Sequence, residues 1–140
     1  WALQDWAAFI ISLQGLDRRS QIERVNRFIN DVDYVEDGAN WGMEDYWATP
    51  AQFFVRAGDC EDYAIAKYMT LRPLGMPIDS MRIVVLMDTN LGIGHAVLAV
   101  YVDDDVLVLD NQISQVVSEA SIHHYQPVYS LNEHNWWRHR

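Results

Sequence analysis

The chain has 140 residues, a formal net charge of −10 and a single cysteine. This length suffices for one hydrophobic core, so we expect a single domain over residues 1–140. The ten Lys and Arg residues are scattered among 20 acidic residues, which argues against a nucleic acid partner. No apolar run approaches the length of a membrane span, so we expect a protein that does not span the membrane. One cysteine excludes an internal disulfide.

Two helices are predicted at the amino-terminal end. Apolar residues recur at helical spacing from Leu3 to Leu16, and the helix is predicted to end at Gly15. A second helix is predicted from about Ser20 to Asn30, where Ser20 and Glu23 resemble a capping box. The chain starts without a methionine and shows no basic segment before an apolar run, so we interpret it as a mature or trimmed domain.

The polar and aromatic segment from Asp31 to Pro50 is predicted to be a loop. Loops of this length are often functional. Trp41 and Trp47 are therefore candidates for lining a substrate groove, although core packing is the ordinary interpretation of a tryptophan. A short helical turn is predicted from Ala51 to Val55.

A third helix is predicted to start at Cys60 and to run to Leu71, after which the pattern becomes that of strands. The predicted strands are Met81 to Met87, Gly94 to Val102 and Val106 to Asp110, with short edge strands at 116–117 and Pro127 to Leu131. The acidic run Asp103 to Asp105 is interpreted as a solvated hairpin turn. Helices followed by an antiparallel sheet indicate the α+β class.

Cys60 is the candidate nucleophile. The ordinary interpretation of a lone cysteine is a small buried hydrophobe. However, Cys60 follows Gly58 and Asp59 at the predicted start of a helix, where the free N–H groups and the helix dipole stabilise a thiolate. At that position the backbone N–H of Cys60 is also expected to donate to an oxyanion.

His95 and Asp110 are the candidate base and the candidate orienter of the base. His95 opens the second predicted strand and Asp110 closes the third. An even register places them opposite each other on one face of a hairpin. That register also pairs Val97 with Val108 and Ala99 with Val106. A carboxylate beside an imidazole fixes its tautomer and stabilises the imidazolium, so one hairpin delivers both groups.

Acidic residues surround the candidate nucleophile. Asp59, Glu61 and Asp62 place three negative charges beside a group that must become a thiolate, and like charges oppose that ionisation. One interpretation is a helix cap and first-turn acids favoured by the helix dipole. The alternative is a site for a hard cation such as calcium, which prefers clustered carboxylates and would offset the local charge.

Several runs of residues resemble the bacterial transglutaminase-like cysteine peptidases. They are Tyr46 to Pro50, Gly58 to Tyr68, Gly94 to Leu98 and Val108 to Asn111, with Val25 to Asn30 upstream and Pro127 to Asn132 near the end. More narrowly, the chain resembles the LapG type, the periplasmic proteases that release biofilm adhesins. The resemblance covers nearly the whole chain.

This resemblance implies a papain-like α+β fold and a calcium-dependent endopeptidase in the periplasm. It implies Cys60, His95 and Asp110 as the catalytic triad, and Asp59 and Glu61 as calcium ligands. The implied substrate is the N-terminal region of a large surface adhesin, cut at a dialanine site. The implied partner is the periplasmic domain of an inner-membrane cyclic-di-GMP receptor.

Two other functions remain open on the residues alone. The same triad serves a transglutaminase-like acyltransferase, which passes the acyl group to an amine instead of water. A non-catalytic calcium-dependent binding module is the second alternative, although the complete triad argues against it.

Overall fold

Three helices precede an antiparallel sheet in this computed structural model, which describes residues 3–31 and 52–139. The helices are α1 (Leu3–Leu13), α2 (Arg18–Asn30) and α3 (Gln52–Leu71). The strands are β1 (Met81–Asp88), β2 (Ile93–Val102), β3 (Asp105–Asp110), β4 (Ile113–Ser118), β5 (Tyr125–Leu131) and β6 (Trp136–Arg138). Single turns of 3-10 helix occupy Ile78–Ser80 and Glu119–Ser121. The predicted α+β class is confirmed. The predictions for residues 32–51, including Trp41 and Trp47, lie outside the described residues.

The six strands form one antiparallel sheet in the order β4-β3-β2-β1-β5-β6. β4 is an edge strand, as predicted from 116–117. The prediction that Pro127 to Leu131 forms an edge was wrong, because Trp136–Arg138 adds a further strand. This strand pairs Leu131 with Trp136 and Tyr129 with Arg138. β1 and β2 therefore lie at the centre of the sheet.

The main core lies between the helices and one face of the sheet. α3 packs on β2 and β1, and α2 packs on α3 and β4. The fully buried contributors include Leu13, Ile22, Val25, Ile29, Leu71, Met81, Leu98 and Leu109. Burial of one such aliphatic side chain contributes about 1.5–3 kcal/mol. α1 docks on α3 through Trp6, whose indole N–H donates to the Thr70 hydroxyl at 2.9 Å. This packing holds α3 firmly against the central strands.

The first two helices differ from the prediction at their ends. α1 ends at Leu13, two residues before the predicted end at Gly15, and Gly15 adopts a left-handed φ of 88° that breaks the helix. α2 begins at Arg18, and the Asp17 carboxylate caps it by accepting from the Ser20 N–H at 3.1 Å. The predicted capping box at Ser20 was therefore wrong, because an acid three residues upstream provides the cap.

α3 begins much earlier than predicted. It runs continuously from Gln52, so Cys60 lies about two turns inside the helix rather than at its start. A single interior glycine such as Gly58 costs about 1 kcal/mol, which a helix of 20 residues can absorb. The predicted stabilisation of a thiolate by a helix N-terminus is consequently not available. The Cys60 N–H lies within the helical hydrogen-bonding pattern, so the predicted oxyanion role of this group also fails.

The β2–β3 hairpin has a register two residues away from the predicted one. Ala99 pairs with Val108, and Val102 pairs with Asp105. The difference arises because the turn contains only two residues, and Asp103 takes the left-handed φ of 54° that tight hairpins require. A shift of two residues preserves the face on which each side chain lies. His95 and Asp110 therefore remain on the same face, at the same end of the hairpin.

Candidate active site

Cys60, His95 and Asp110 form a continuous hydrogen-bonded chain. His95 Nδ1 lies 3.0 Å from Cys60 Sγ, and His95 Nε2 lies 2.8 Å from Asp110 Oδ1. The three side chains are essentially inaccessible to solvent. Because an ionised carboxylate only accepts, Nε2 carries the proton that points at Asp110, and Nδ1 faces the sulfur. The structure thus brings together the three residues that the sequence pattern selected.

Asp110 is held from several directions. The Tyr125 hydroxyl donates to its Oδ2 at 2.6 Å, and the Gln112 N–H donates to its Oδ1 at 2.9 Å. The Asn30 side-chain amide donates to the Asp110 carbonyl at 3.0 Å. The Tyr125 ring also packs edge-on against the His95 ring, with centroids 5.5 Å apart. Tyr125 therefore orients both the carboxylate and the imidazole.

The contacts within the chain set the protonation states. Burial alone would lower the pKa of His95, but its hydrogen bonds to Asp110 and Cys60 and their negative charges raise that pKa to about 9. Burial would raise the pKa of Asp110, but the hydrogen bond and charge of His95, followed by the donors from Tyr125 and Gln112, lower it. At neutral pH these shifts favour an imidazolium paired with a carboxylate.

The immediate surroundings of the sulfur are apolar. Cys60 packs with Val85 and Ala96, and Tyr129 packs against this cluster. Trp136 stacks on Tyr129, with ring centroids 5.9 Å apart, and is 61% exposed. An aromatic surface therefore leads from solvent toward the thiol.

Glu61 is the described residue that best fits a cation site. Its side chain is 2% exposed, and its Oε2 has no hydrogen-bond partner within the described residues. Burial, with a smaller effect from the charge of Asp62, raises the pKa of Glu61 to about 8. A buried carboxylate with a spare oxygen suits a hard cation. No cluster of three or more His, Cys, Asp or Glu side chains suited to a metal occurs in the described ranges, which do not include the side chain of Asp59.

Sequence reasoning missed the residues that support the triad. Tyr125 and Asn30 lie 15 and 80 residues from Asp110. Asn30 falls in the upstream run that resembles the family, but nothing in that run indicates a contact with Asp110. Lys67 lies within the Gly58 to Tyr68 run, but nothing in that run indicates that its side chain is completely buried. Only the packing of α2, α3 and β5 around the hairpin reveals these three residues.

A buried Cys–His–Asp chain between a helix and an antiparallel sheet is the arrangement expected of the catalytic triad of a cysteine proteinase. The chain belongs to the family described as bacterial transglutaminase-like cysteine proteinase BTLCP, whose profile matches residues 11–139. A comparison with curated proteins finds no significant match. Within the described residues, none of the helices combines the length and apolar character needed to cross a membrane.

Three solved structures of LapG from Legionella pneumophila are similar to this chain. One has 36% sequence identity and a TM-score of 0.77, and the match covers 96% of this chain and 74% of that chain. The calcium-bound form has the same identity and TM-score, with 96% and 76% covered. The EGTA-treated form has 35% identity and a TM-score of 0.78, with 97% and 75% covered. The resemblance to the LapG type is therefore confirmed.

Proposed function

We propose that this chain is a calcium-dependent cysteine endopeptidase that cuts the N-terminal region of a large cell-surface adhesin at a dialanine-type site. The observation that carries the proposal is the unbroken chain of contacts from Cys60 Sγ through His95 to Asp110. The family supports the reaction class, and the similarity to LapG supports the substrate class.

The triad geometry allows a two-step mechanism. The Cys60 thiolate attacks the scissile carbonyl carbon, and the imidazolium of His95 donates its Nδ1 proton to the leaving amine. This step leaves a thioester on Cys60. A water molecule then attacks the thioester while His95 takes a proton from it, which releases the acid and restores the pair of Cys60 thiolate and His95 imidazolium. Asp110 holds the ring by accepting from Nε2 throughout.

Calcium is proposed to bind at Asp59 and Glu61. The buried, unpartnered Glu61 oxygen supports this assignment, and a similar structure was solved in a calcium-bound form. When bound, the ion supplies positive charge beside the acids that flank Cys60. In their ionised forms these acids otherwise oppose formation of the thiolate.

We place the protein in the periplasm, where the periplasmic domain of an inner-membrane cyclic-di-GMP receptor sequesters it and so controls biofilm attachment and dispersal. The family resemblance and the similarity to LapG support this assignment. Binding between the purified protein and that receptor domain tests it, with Cys60→Ala as a binding-competent but inactive form. Absence of binding at micromolar concentrations would contradict the partner assignment.

The central experiment is cleavage of an adhesin N-terminal fragment, with calcium and with a chelator. We expect the wild-type protein with calcium to cut the fragment and Cys60→Ala to leave it intact. Because Cys60 is the single cysteine, mass spectrometry of a thiol-directed inhibitor adduct reports on this residue alone. An amine acceptor added to the reaction distinguishes hydrolysis from acyl transfer. Cleavage by Cys60→Ala above background would overturn the proposed nucleophile.

A further inference from the structure

Lys67 is a buried cation that the mechanism above does not use. It is the single lysine in the chain, and the nine other basic residues are arginines. Its side chain is 0% exposed, and Nζ has no hydrogen-bond partner within residues 3–31 and 52–139. Lysine is almost never fully buried unless a partner compensates the charge. The negative charge that compensates the Lys67 ammonium must therefore come from nearby groups that do not hydrogen-bond to it.

Lys67 lies on the helix that carries the nucleophile. Lys67 is seven positions after Cys60, so the two side chains lie on the same face of α3, two turns apart. That face packs on β2, which carries His95, and also contacts β3, which carries Asp110. The charges that act on the Lys67 ammonium are those of Asp110 and Cys60.

The region around the Asp110 backbone is polar as well as buried. Asn30 donates to the Asp110 carbonyl and Asn26 donates to the Ser114 carbonyl, both from α2. The side-chain oxygens of both asparagines have no partner among the described residues. Such acceptors suit buried water molecules, which would make this part of the core more polar.

The charges in the site do not balance without Lys67. In the reactive form, the thiolate, the imidazolium and the Asp110 carboxylate sum to one negative charge within the core. An uncompensated charge in a low-dielectric interior is strongly unfavourable. The ammonium of Lys67 brings the sum to zero.

The charge of Lys67 in turn depends on Asp110 and Cys60. Burial lowers the pKa of Lys67 to about 7, while the negative charges of Asp110 and Cys60 act in the opposite direction. Loss of either charge should therefore favour the neutral amine. Because linkage between two sites is reciprocal, the ammonium of Lys67 also favours the ionised form of Asp110.

We propose that Lys67 is a positioning residue whose buried ammonium compensates the charge of the Asp110 carboxylate, and so keeps the Asp110–His95 pair ionised within the core. This inference rests on the proposed triad. Lys67 is completely buried and acts through Asp110.

The first test measures the coupling without any substrate. With one lysine in the chain, [¹³Cε]-lysine labelling gives a single NMR signal that reports the charge of Lys67 in the intact, calcium-saturated protein. We expect Asp110→Asn to lower the apparent pKa of this signal by about one pH unit or more. Asp104→Asn, in the exposed hairpin turn, is the matched control and should leave it unchanged. Equal titration in wild type and Asp110→Asn would overturn the proposal.

The second test measures turnover. We expect Lys67→Met, which keeps the length of the side chain, to lower kcat by about tenfold or more at unchanged KM. Lys67→Arg should recover part of that loss because it restores the charge. Arg72→Met removes an exposed cation just beyond the same helix and should leave kcat unchanged. Full kcat in a folded Lys67→Met protein would overturn the proposal.

Two outcomes keep this inference separate from the proposed function. Failure of wild type to cut the adhesin fragment would refute the substrate assignment, while the NMR coupling still decides the role of Lys67. If Lys67→Met does not fold, as melting curves would show, the Asp110→Asn titration alone supports or overturns the inference.

Discussion

Both carboxylate oxygens of Asp110 are occupied by donors, and each donor comes from a different part of the chain. His95 and the Gln112 N–H bind Oδ1, while Tyr125 binds Oδ2. A carboxylate with two fixed oxygens cannot rotate away from the imidazole. The orientation of His95 therefore depends on residues that do not take part in the reaction.

Removal of the Tyr125 hydroxyl tests this dependence. Tyr125→Phe keeps the ring against His95 but removes a hydrogen bond to a charged group, worth about 1.5–3 kcal/mol. We expect kcat to fall roughly tenfold with little change in KM, because the interaction orients the triad and does not bind substrate. Tyr101→Phe, on the exposed face of β2, is the matched control. Unchanged kcat in Tyr125→Phe would mean that Asp110 is held without it.

The pKa of His95 predicts a pH dependence of both activity and stability. A His whose folded pKa of about 9 exceeds its unfolded value of about 6.5 stabilises the fold fully below pH 6.5, and this contribution disappears as pH rises through 9. Activity should fall over the same alkaline range, because the imidazolium that protonates the leaving amine is lost. Asp110→Asn should move the alkaline limb of the kcat profile to lower pH. A limb that stays in place would show that Asp110 does not stabilise the imidazolium.

At the scale of elements, the β2–β3 hairpin shows that a predicted register can differ from the observed one by two residues and still place the site residues correctly. The predicted and observed pairings differ by two residues, and His95 and Asp110 still meet. An odd shift would have placed Asp110 on the opposite face of the sheet. The alternation of strand residues therefore specified the face of the sheet on which each side chain lies, and it did not specify which residues pair.

The cap of α2 provides a prediction at the same scale. Asp17→Ala removes the acceptor for the Ser20 N–H, so we expect the melting temperature to fall by a few degrees. Asp17→Asn retains a capping oxygen and should melt close to wild type, which makes it the matched control. Calorimetry at neutral pH distinguishes the two. Equal melting temperatures for Asp17→Ala and wild type would show that the cap contributes nothing.

At the scale of the whole molecule, calcium binding should appear as a change in global stability. An ion that binds only the folded state stabilises it by mass action, by about 2.7 kcal/mol at a hundredfold excess over Kd. We expect chelation to lower the melting temperature and to abolish cleavage, and magnesium to restore both poorly because it requires a tighter octahedral shell.

Glu61→Gln should remove most of the calcium-dependent shift in melting temperature, because it replaces the proposed ligand carboxylate with a neutral amide. Glu119→Gln, an exposed acid in a 3-10 turn, should retain the full shift and serves as the control. A wild-type melting temperature that is the same in calcium and in chelator would refute the calcium assignment.

The sequence by itself determined the local features of this protein and the chemical identity of its site. Strand alternation, helix periodicity and turn residues are short-range properties, so β1, β2 and β3 were predicted to within one residue at each end. The motif around Cys60, with His95 and Asp110 in order, was sufficient to select the triad and the family. In contrast, the start of α3 was misplaced, because a Gly–Asp pair favours a helix start locally while the packed helix continues through it.

Only the tertiary structure decided which distant residues share the site. His95 meets Cys60 across 35 residues, and Tyr125 at the start of β5 reaches Asp110 at the end of β3 although β1 and β2 lie between these strands in the sheet order. Nothing in the local sequence encodes that order. Lys67 shows the same limit, since lysine in a helix is normally solvent-exposed and only the packing of α3 against the sheet buries it. Contacts between residues far apart in the chain arise from how whole elements cover one another's apolar faces, and a single local pattern does not contain that information.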